Sequence, residues 1–339
     1  MKSLLIVSVT GMGDSLWATP AIRALKKTFP EVEINFLTNK PWVSLLENNP
    51  NLNRVFCYQS KWYLQWKTIF KLRSYKFDCV LVFHANKDFS RVQKFIDCSQ
   101  VWSLQDFPWV PRERQVPIDG PVHAIQKRLR LIEKVGGIPD GPNMDLILGE
   151  EAKKNGLHFL EETGFTPNQY VYVNVGASST SRRWPDDRFM RIIERLLDKT
   201  PFNTIVGAGP TEGDWVDFLV KKFNTKRVIS TRNLSLAIDA FIIGQSRLTI
   251  TSDTGPMHLA FAQCVPTIAL FGATHPDYSG PPNPKDENCF LILSQEYDGH
   301  LKSNPNERLN PFLAITEEIV WEKVKLAFDY AEKKSKGYN

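Results

Sequence analysis

The sequence lacks the patterns that identify several large classes of protein. No apolar run reaches the roughly 18 residues that a membrane-spanning helix needs. The apolar start of the chain breaks at Gly11 and leads into an amphipathic segment, which indicates a buried strand rather than a signal peptide. The five cysteines are scattered and include no C-x-x-C pair, which favours reduced thiols over disulfides or zinc. We therefore expect a cytoplasmic protein.

Motifs that mark other kinds of enzyme are missing as well. The glycines after the first predicted strand do not continue into G-x-G-x-x-G, which argues against a nicotinamide dehydrogenase. No H-E-x-x-H, G-x-S-x-G or P-loop pattern occurs. The sequence also has no D-x-D triplet, whose carboxylates usually coordinate the divalent ion that bridges a nucleotide-sugar diphosphate. We expect neither a bound metal ion nor a cofactor.

Acidic residues are absent between Asn48 and Phe77, a segment in which basic and aromatic residues are interleaved. The net charge of the whole chain is +5, and the excess lies in its first half. Such a patch suits nucleic acid, an anionic membrane or a phosphorylated amphiphile. No nucleic-acid-binding motif accompanies it, so we expect no nucleic acid partner. The residues assigned to acceptor or membrane contact are Lys61, Trp62, Trp66 and Lys67. A core-facing aromatic stripe with solvated lysines opposite is an equal alternative.

Strand-like and helix-like segments alternate through both halves of the chain. The predicted strands are 4–9, 33–37, 79–83, 170–175, 203–207, 248–252 and 266–271. The predicted helices are 15–27, 62–74, 122–135, 150–163, 187–199, 212–223, 235–243 and 316–334. Such alternation predicts an α/β protein with parallel sheets covered by helices. We expect two Rossmann-like domains, 1–160 and 161–315, that face a central cleft, and a C-terminal helix within 316–339 that packs back on the first domain.

The loop after the first predicted strand contains Gly11, Gly13 and Asp14. The two glycines would let the backbone turn tightly. Asp14 stands where a helix begins, and Asp is a preferred helix cap. A carboxylate at the end of a strand could also take a proton from a substrate hydroxyl. The spacing alone leaves both interpretations of Asp14 open.

Three loops in the second half suit a phosphorylated ligand. The loop 176–185 combines hydroxyls and paired arginines, which match phosphate oxygens. The loop 252–258 joins a strand to a helix whose free N–H groups attract anions. A glycine-rich turn at 207–209 lies between them. The candidate donor-binding residues are Ser178, Thr180, Arg182, Glu212, Asp253, Thr254, Gly255 and His258. Asp253 could instead be only a helix cap, and His258 a core histidine.

These loops and their neighbours resemble glycosyltransferase family 9, the bacterial heptosyltransferases of lipopolysaccharide core synthesis. Four segments carry the resemblance, in the family's order: GMGDSLWATPAIRALKKTFPEVEINFL at 11–37, NVGASSTSRRWPDDRF at 174–189, GAGPTE at 207–212 and SDTGPMHLAFAQCVPTIALFGATHP at 252–276. The resemblance implies a GT-B fold that holds the acceptor on its N-terminal domain and the nucleotide-sugar on its C-terminal domain. It also implies inverting transfer, usually from ADP-heptose, without a tightly held metal.

Position by position, the resemblance assigns roles to individual residues. Asp14 corresponds to the residue proposed as the catalytic base of the family. Arg182 corresponds to a position where the family commonly has a lysine that contacts the donor phosphate. Residues 253–258 fall on the donor-binding motif. The segment 84–121 matches no part of the family's pattern, so we expect it to determine the acceptor and add His84 to the acceptor contacts.

The sequence therefore predicts an inverting glycosyltransferase that moves heptose from ADP-heptose onto a lipopolysaccharide core or a related cell-envelope glycan. Its partners would be the nucleotide-sugar donor, a glycolipid acceptor and the anionic inner face of the inner membrane. Two alternatives remain open. A GT-B-like sugar-nucleotide epimerase or hydrolase would need no acceptor, and a non-catalytic membrane-docking module would bind the sugar nucleotide without turnover.

Overall fold

Two compact α/β units make up the chain, Met1–Leu148 and Gly149–Asn339. The computed structural model describes residues 1–117, 120–177, 179, 182–272, 274–283, 285–294 and 310–335. Within those ranges each unit contains one sheet, and every pairing between its strands is parallel. The predicted fold class, two α/β domains with parallel sheets, is confirmed.

The first unit is a five-stranded sheet with helices. Its strands are β1 (Ser3–Ser8), β2 (Glu33–Asn39), β3 (Arg54–Tyr58), β4 (Lys76–His84) and β5 (Asp97–Ser103). Its helices are α1 (Met12–Leu16), α2 (Thr19–Thr28), α3 (Gln65–Leu72), α4 (Phe89–Gln93) and α5 (Ala124–Glu133). The strand order is β3-β2-β1-β4-β5. Because the chain runs outward from β1 to β3 and then returns to the other side of β1, the carboxyl ends of β1 and β4 form a switch point, where α/β sheets bind ligands.

The register of β1 against β4 brings two functional loops together. Ser8 pairs with His84, and the N–H of Val9 donates to the carbonyl oxygen of His84 at 2.9 Å. The loop that begins at Thr10 therefore starts beside the last residue of β4. Because the strands are parallel, residues that are 74 positions apart in the sequence meet at one edge of the sheet.

The helix predicted for residues 15–27 is in fact two helices, α1 and α2, which are separated by a turn at Trp17–Ala18. Pro20 explains the break, because a proline has no N–H and its ring clashes with the carbonyl group four residues earlier, here that of Leu16. The Thr19 hydroxyl donates to the Leu16 carbonyl oxygen at 2.7 Å instead. The break leaves α1 as a short helix that carries Asp14.

The second unit is a six-stranded sheet with helices. Its strands are β6 (Tyr170–Asn174), β7 (Asn203–Gly207), β8 (Val228–Ser230), β9 (Leu248–Ser252), β10 (Thr267–Phe271) and β11 (Cys289–Leu293). Its helices are α6 (Glu150–Thr163), α7 (Asp186–Lys199), α8 (Gly213–Phe223), α9 (Leu236–Gly244), α10 (Gly255–Ala262), α11 (Pro276–Ser279) and α12 (Glu317–Ser335). The strand order β11-β10-β9-β6-β7-β8 puts a switch point between β6 and β9.

The core of the second unit includes both α7 and α12. Buried side chains of α12, among them Val320 and Val324, pack in the same apolar cluster as Trp184 and Phe189. Helix α6 contacts α9, and Gly156 of α6 lies against the ring of Phe241. Helix α6 thus belongs to the second unit, whereas the division at residue 160 drawn from the sequence would cut through this helix. In the described ranges no helix is both long and apolar enough to cross a membrane.

Candidate active site

Asp14 is the centre of a polar cluster at the switch point of the first unit. Its Oδ2 atom accepts hydrogen bonds from the Thr10 hydroxyl at 2.7 Å and from the Gly11 N–H at 3.2 Å, and it lies 3.0 Å from His84 Nδ1. Its Oδ1 atom accepts from Arg128 Nη2 at 2.8 Å. Gly11 is the N-cap of α1, and Asp14 accepts from its N–H from the third helical position while also pairing with two side chains from distant elements.

The charge of Asp14 is fixed by these partners. Burial acts to raise the pKa of Asp14, but the hydrogen bond with His84 and the charge of Arg128 outweigh it and hold the pKa well below its usual value. Burial also lowers the pKa of Arg128, although Asp14 opposes that effect. The Asp14 carboxylate is thus ionised throughout the physiological pH range.

Arg128 is a buried partner of Asp14 that the sequence pattern did not reveal. It projects from α5, its side chain is almost fully buried, and its guanidinium lies over the rings of Trp17 and Phe83. The only signal in the sequence was an arginine at a position of α5 that faces the core, next to Leu129. Long charged side chains are rarely buried without a partner, so a buried arginine indicates a buried carboxylate nearby.

Neither of the two loop glycines adopts a left-handed backbone conformation. Gly11 has φ −80° and ψ 167°, an extended conformation open to any residue. A Cβ added at Gly11 would lie 3.4 Å from Asp14 Oδ2, which is ordinary contact. Gly13 is buried inside α1 and is not among the residues with positive φ. Gly11 therefore contributes through its N–H, which donates to Asp14.

Asn174 connects the two central strands of the second unit at their carboxyl ends. Its side-chain amide donates to the Gly176 carbonyl oxygen at 3.0 Å, to the Thr251 hydroxyl at 3.1 Å and to the Thr254 hydroxyl at 3.0 Å. Helix α10 begins immediately after, at Gly255. The first turn of α10 is thus held against the loop that follows β6, at the switch point.

Arg182 is hydrogen-bonded to Asp253 at the same switch point. Its Nη2 atom donates to the main-chain oxygen of Asp253 at 2.8 Å and to Asp253 Oδ2 at 2.9 Å. Asp253 is buried, and its carboxylate also accepts from the hydroxyls of Thr274 and, at 3.3 Å, Ser279. Within the described residues, Nε and Nη1 of Arg182 have no hydrogen-bond partner. A guanidinium fixed beside a helix N-terminus suits a phosphate group.

Trp184 anchors the chain just after Arg182. Its ring is fully buried, packs edge-on against Phe189 with centroids 5.0 Å apart, and its Nε1 atom donates to the Ile315 carbonyl oxygen at 2.8 Å. Because Trp184 is rigidly held, the position of Arg182 two residues earlier is restricted as well.

The glycine-rich turn after β7 packs directly against the loop after β6. A Cβ added at Gly176 would lie 2.8 Å from the Gly209 nitrogen, a distance that real side chains do not reach. Glu212 is buried and folds back so that its Oε2 would lie 2.9 Å from a Cβ at Gly209. His258 is buried in α10, with its ring 6.4 Å from that of Phe261. The second unit thus gathers Arg182, Glu212 and the 253–258 segment on neighbouring loops.

The sequence matches the family model of glycosyltransferase family 9 (heptosyltransferase) over residues 66–307, which is more than half of the chain. The chain belongs to glycosyltransferase family 9. It is 25% identical over 338 residues to lipopolysaccharide heptosyltransferase 3 of Escherichia coli K12, covering 93% of this chain and 95% of that one. The identification made from the sequence motifs is confirmed, and so is the prediction that the protein is a glycosyltransferase.

Solved structures support the fold of this glycosyltransferase. The family 9 glycosyl transferase of Veillonella parvula aligns with a TM-score of 0.83 and 21% identity, over 96% of this chain and 97% of that one. The Escherichia coli heptosyltransferase WaaC, solved with ADP, aligns with a TM-score of 0.74 and 17% identity, over 96% of this chain and 99% of that one. The predicted GT-B fold is confirmed.

Two candidate residues of the glycosyltransferase, Ser178 and Thr180, lie outside the described residues. Of the other candidates of the second unit, Thr254 contacts Asn174, and Arg182 contacts Asp253. Within the ranges described, no group of three or more His, Cys, Asp or Glu side chains is arranged to hold a metal ion.

The basic and aromatic segment of the glycosyltransferase divides between core and surface. Phe56, Tyr58 and Phe77 are buried, as the core-facing alternative requires. In contrast, Trp62, Tyr63, Trp66 and Phe70 are 71%, 51%, 59% and 58% exposed. Lys61 precedes Trp62 and Lys67 follows Trp66 in the sequence, with Lys67 Nζ 5.6 Å from the centre of the Trp66 ring. Helix α3 packs on the edge strand β3, whereas His84, the remaining acceptor candidate, belongs to the Asp14 cluster.

Proposed function

We propose that this glycosyltransferase moves heptose from ADP-heptose onto a lipopolysaccharide core or a related cell-envelope glycan, with inversion at the anomeric carbon. The observation that carries the donor assignment is the Arg182 guanidinium, fixed by Asp253 beside the start of α10. The name of the Escherichia coli relative supports the acceptor class, and the ADP bound to WaaC supports the nucleotide.

In the proposed reaction, residues of the second unit hold the donor. The diphosphate lies on Arg182 and the first turn of α10, with Thr254 and Gly255 at its N-terminus and His258 one turn along. The Arg182 guanidinium and the N–H groups at the start of α10 stabilise the negative charge that develops on the leaving nucleoside diphosphate, and preorganised stabilisation of this kind lowers a barrier by several kcal/mol. Glu212 accepts from the ribose hydroxyls.

In the first unit, the Asp14 cluster removes the proton of the attacking acceptor hydroxyl. The acceptor oxygen then displaces the diphosphate from the opposite face of the sugar, which inverts the anomeric carbon. Asp14 is the residue on which proton removal depends, because it is the ionised carboxylate of the cluster at the switch point of β1 and β4.

The nucleotide is tested by thermal shift. ADP is expected to raise the melting temperature more than UDP, GDP or dTDP at the same concentration, because only a ligand that binds the folded state stabilises it. At a concentration 100 times its Kd, a ligand adds about 2.7 kcal/mol to the free energy of unfolding. A larger shift with UDP would contradict the proposed donor.

The dependence of donor consumption on the acceptor distinguishes transfer from hydrolysis or epimerisation. The rate of ADP release from ADP-heptose should be low without an acceptor and should increase when lipopolysaccharide with a truncated core is added. Donor consumption that is equally fast without lipopolysaccharide would favour the epimerase or hydrolase alternative.

We further propose that residues 61–73 of the enzyme contact an anionic membrane at the cytoplasmic face of the inner membrane. Four large aromatic side chains are exposed along one short segment, and exposed apolar patches commonly mark interaction surfaces. Lys61, Lys67 and Arg73 add positive charge, and no acidic residue occurs in the segment. Aromatic rings at the headgroup level together with basic side chains favour anionic lipid.

Sedimentation with vesicles tests this contact. We expect the protein to bind vesicles of phosphatidylglycerol and phosphatidylcholine (1:3) and to bind pure phosphatidylcholine much more weakly. The double variant Trp62→Ser/Trp66→Ser should lose most of the binding and keep its melting temperature, since both rings are exposed. Phe218→Ser, which removes an exposed ring from α8, is the control and should bind as the wild type does. Equal binding by the double variant would refute the contact.

A further inference from the structure

We propose that His84 is a catalytic residue that receives the proton of the acceptor hydroxyl at its Nε2 atom, while Asp14 positions the imidazole. This inference rests on the proposed function, because it assigns the proton-accepting atom of that reaction. The relevant cluster contains Thr10, Asp14, His84 and Arg128, and all four residues belong to the first unit.

The hydrogen bonds of Thr10 determine the tautomer of His84. The single hydroxyl proton of Thr10 is directed to Asp14 Oδ2 at 2.7 Å. His84 Nδ1 therefore faces two acceptors, Thr10 Oγ1 at 2.9 Å and Asp14 Oδ2 at 3.0 Å. An unprotonated Nδ1 would place its lone pair against both oxygens. The proton of the neutral imidazole is consequently on Nδ1, and Nε2 is left as a base.

The two possible bases of the cluster, Asp14 and His84, differ in the hydrogen bonds that they already accept. Asp14 Oδ2 accepts from Thr10, Gly11 and His84, and Oδ1 accepts from Arg128. By contrast, Nε2 of His84 has no hydrogen-bond partner in the part of the chain that the structure describes. The side chain of His84 is 40% exposed and that of Asp14 is 16% exposed. A substrate hydroxyl can reach Nε2 without displacing an existing donor.

The charges around the imidazole favour the same assignment. Asp14 from α1 faces His84 directly, and Arg128 from α5 lies behind it on the other carboxylate oxygen. On the side of β5, Gln105 presents a neutral amide to the Ala85 N–H. Asp88 and Arg91 of the following segment pair with each other. Because Arg128 keeps Asp14 ionised, the carboxylate is a weak base, but its charge stabilises the imidazolium that forms beside it.

The proposed step is balanced without any further reactant. The acceptor O–H proton passes to His84 Nε2 while the acceptor oxygen forms a bond to the anomeric carbon of the donor. The bond between that carbon and the diphosphate oxygen breaks, and its electron pair leaves with the nucleoside diphosphate. Imidazolium and Asp14 carboxylate remain as an ion pair until the proton is released to water.

The variant His84→Asn separates the two roles of the imidazole. The Asn amide can still donate to Asp14 in place of Nδ1–H, but nothing replaces Nε2. With ADP-heptose and truncated-core lipopolysaccharide, we expect kcat to fall by about 10²-fold or more, the size of a lost general base. The KM for ADP-heptose should stay within about twofold, because the donor is held by the second unit.

The pH profile distinguishes a base from a structural residue. For the wild type, kcat/KM should rise with pH because a general base must be unprotonated to act, and this rise should be absent in His84→Asn. His158→Asn removes an exposed imidazole from α6 and serves as the matched control, with unchanged kcat and profile. If His84→Asn keeps wild-type kcat and the pH-dependent rise, the inference is overturned while the proposed function stands.

Imidazole ¹⁵N NMR tests the assignment independently of turnover. The wild-type spectrum should show His84 protonated at Nδ1, and an Nε2–H tautomer would overturn the inference even for an inactive preparation. Absence of ADP release from the wild type with donor and acceptor together would instead reject the proposed function. The two failures are therefore distinguishable.

Discussion

Replacement of Asp14 by Asn is expected to lower kcat for heptose transfer by about 10³-fold, within the range that loss of acid–base catalysis produces. Asn has no charge to stabilise an imidazolium, and its amide N–H can donate to His84 Nδ1 and shift the tautomer. The affinity for ADP should be unchanged, because the proposed nucleotide site belongs to the second unit. Steady-state kinetics and ADP titration measure the two quantities.

This substitution also leaves the buried guanidinium of Arg128 without its counterion. Removal of one partner from a buried ion pair is strongly destabilising, by about 3–5 kcal/mol in other proteins. We therefore expect a lower melting temperature for Asp14→Asn. The double variant Asp14→Asn/Arg128→Met removes the unpaired charge and should recover much of that stability without recovering turnover. Retention of more than a tenth of the wild-type kcat by Asp14→Asn would show that proton removal does not depend on this carboxylate.

Replacement of Arg182 by Ala should have the second largest effect, a loss of about 10- to 100-fold in ADP affinity. Hydrogen bonds to charged groups contribute about 1.5–3 kcal/mol each, and 1.4 kcal/mol corresponds to a tenfold change in Kd. Ala also leaves the buried carboxylate of Asp253 with only the hydroxyls of Thr274 and Ser279 as side-chain partners within the described residues. Calorimetric titration with ADP measures the affinity.

Two further variants make this test specific. Arg182→Lys keeps the positive charge but loses the planar guanidinium, so its ADP affinity should fall only a few-fold. Arg183→Ala removes the adjacent guanidinium, which pairs with Asp186 at 3.2 Å, and should leave ADP affinity near the wild-type value. If Arg182→Ala binds ADP as tightly as Arg183→Ala does, the phosphate site does not include Arg182.

The success of the strand predictions depended on where each strand lies in its sheet. The central strands β1, β6, β9 and β10 are buried along nearly their whole length and read as continuous apolar or β-branched runs. The four strands that were not predicted, β3, β5, β8 and β11, are the edge strands of the two sheets. Their side chains are only partly buried, so their sequences lack a run that distinguishes a strand from a loop.

The candidate site was predictable to the extent that it lies in loops after buried strands. Asp14, Arg182 and the 253–258 segment were identified because small and charged residues interrupt an apolar pattern at those points. Arg128 was missed because its helix has an ordinary amphipathic pattern, and no local feature connects it to a carboxylate 114 residues earlier. His84 was assigned to the acceptor from its position in the chain, and only its distance of 3.0 Å from Asp14 relates it to proton transfer.

The amino-acid sequence by itself determined the family, the α/β class and the loops that carry the polar residues, since these follow from patterns a few residues long. The tertiary structure alone decided the order of the strands, the edges of both sheets and the partners of each charged group. The physical reason is that parallel strands join residues that are far apart in the chain. The ionisation of Asp14 and the tautomer of His84 depend on atoms that only this long-range packing brings within hydrogen-bonding distance.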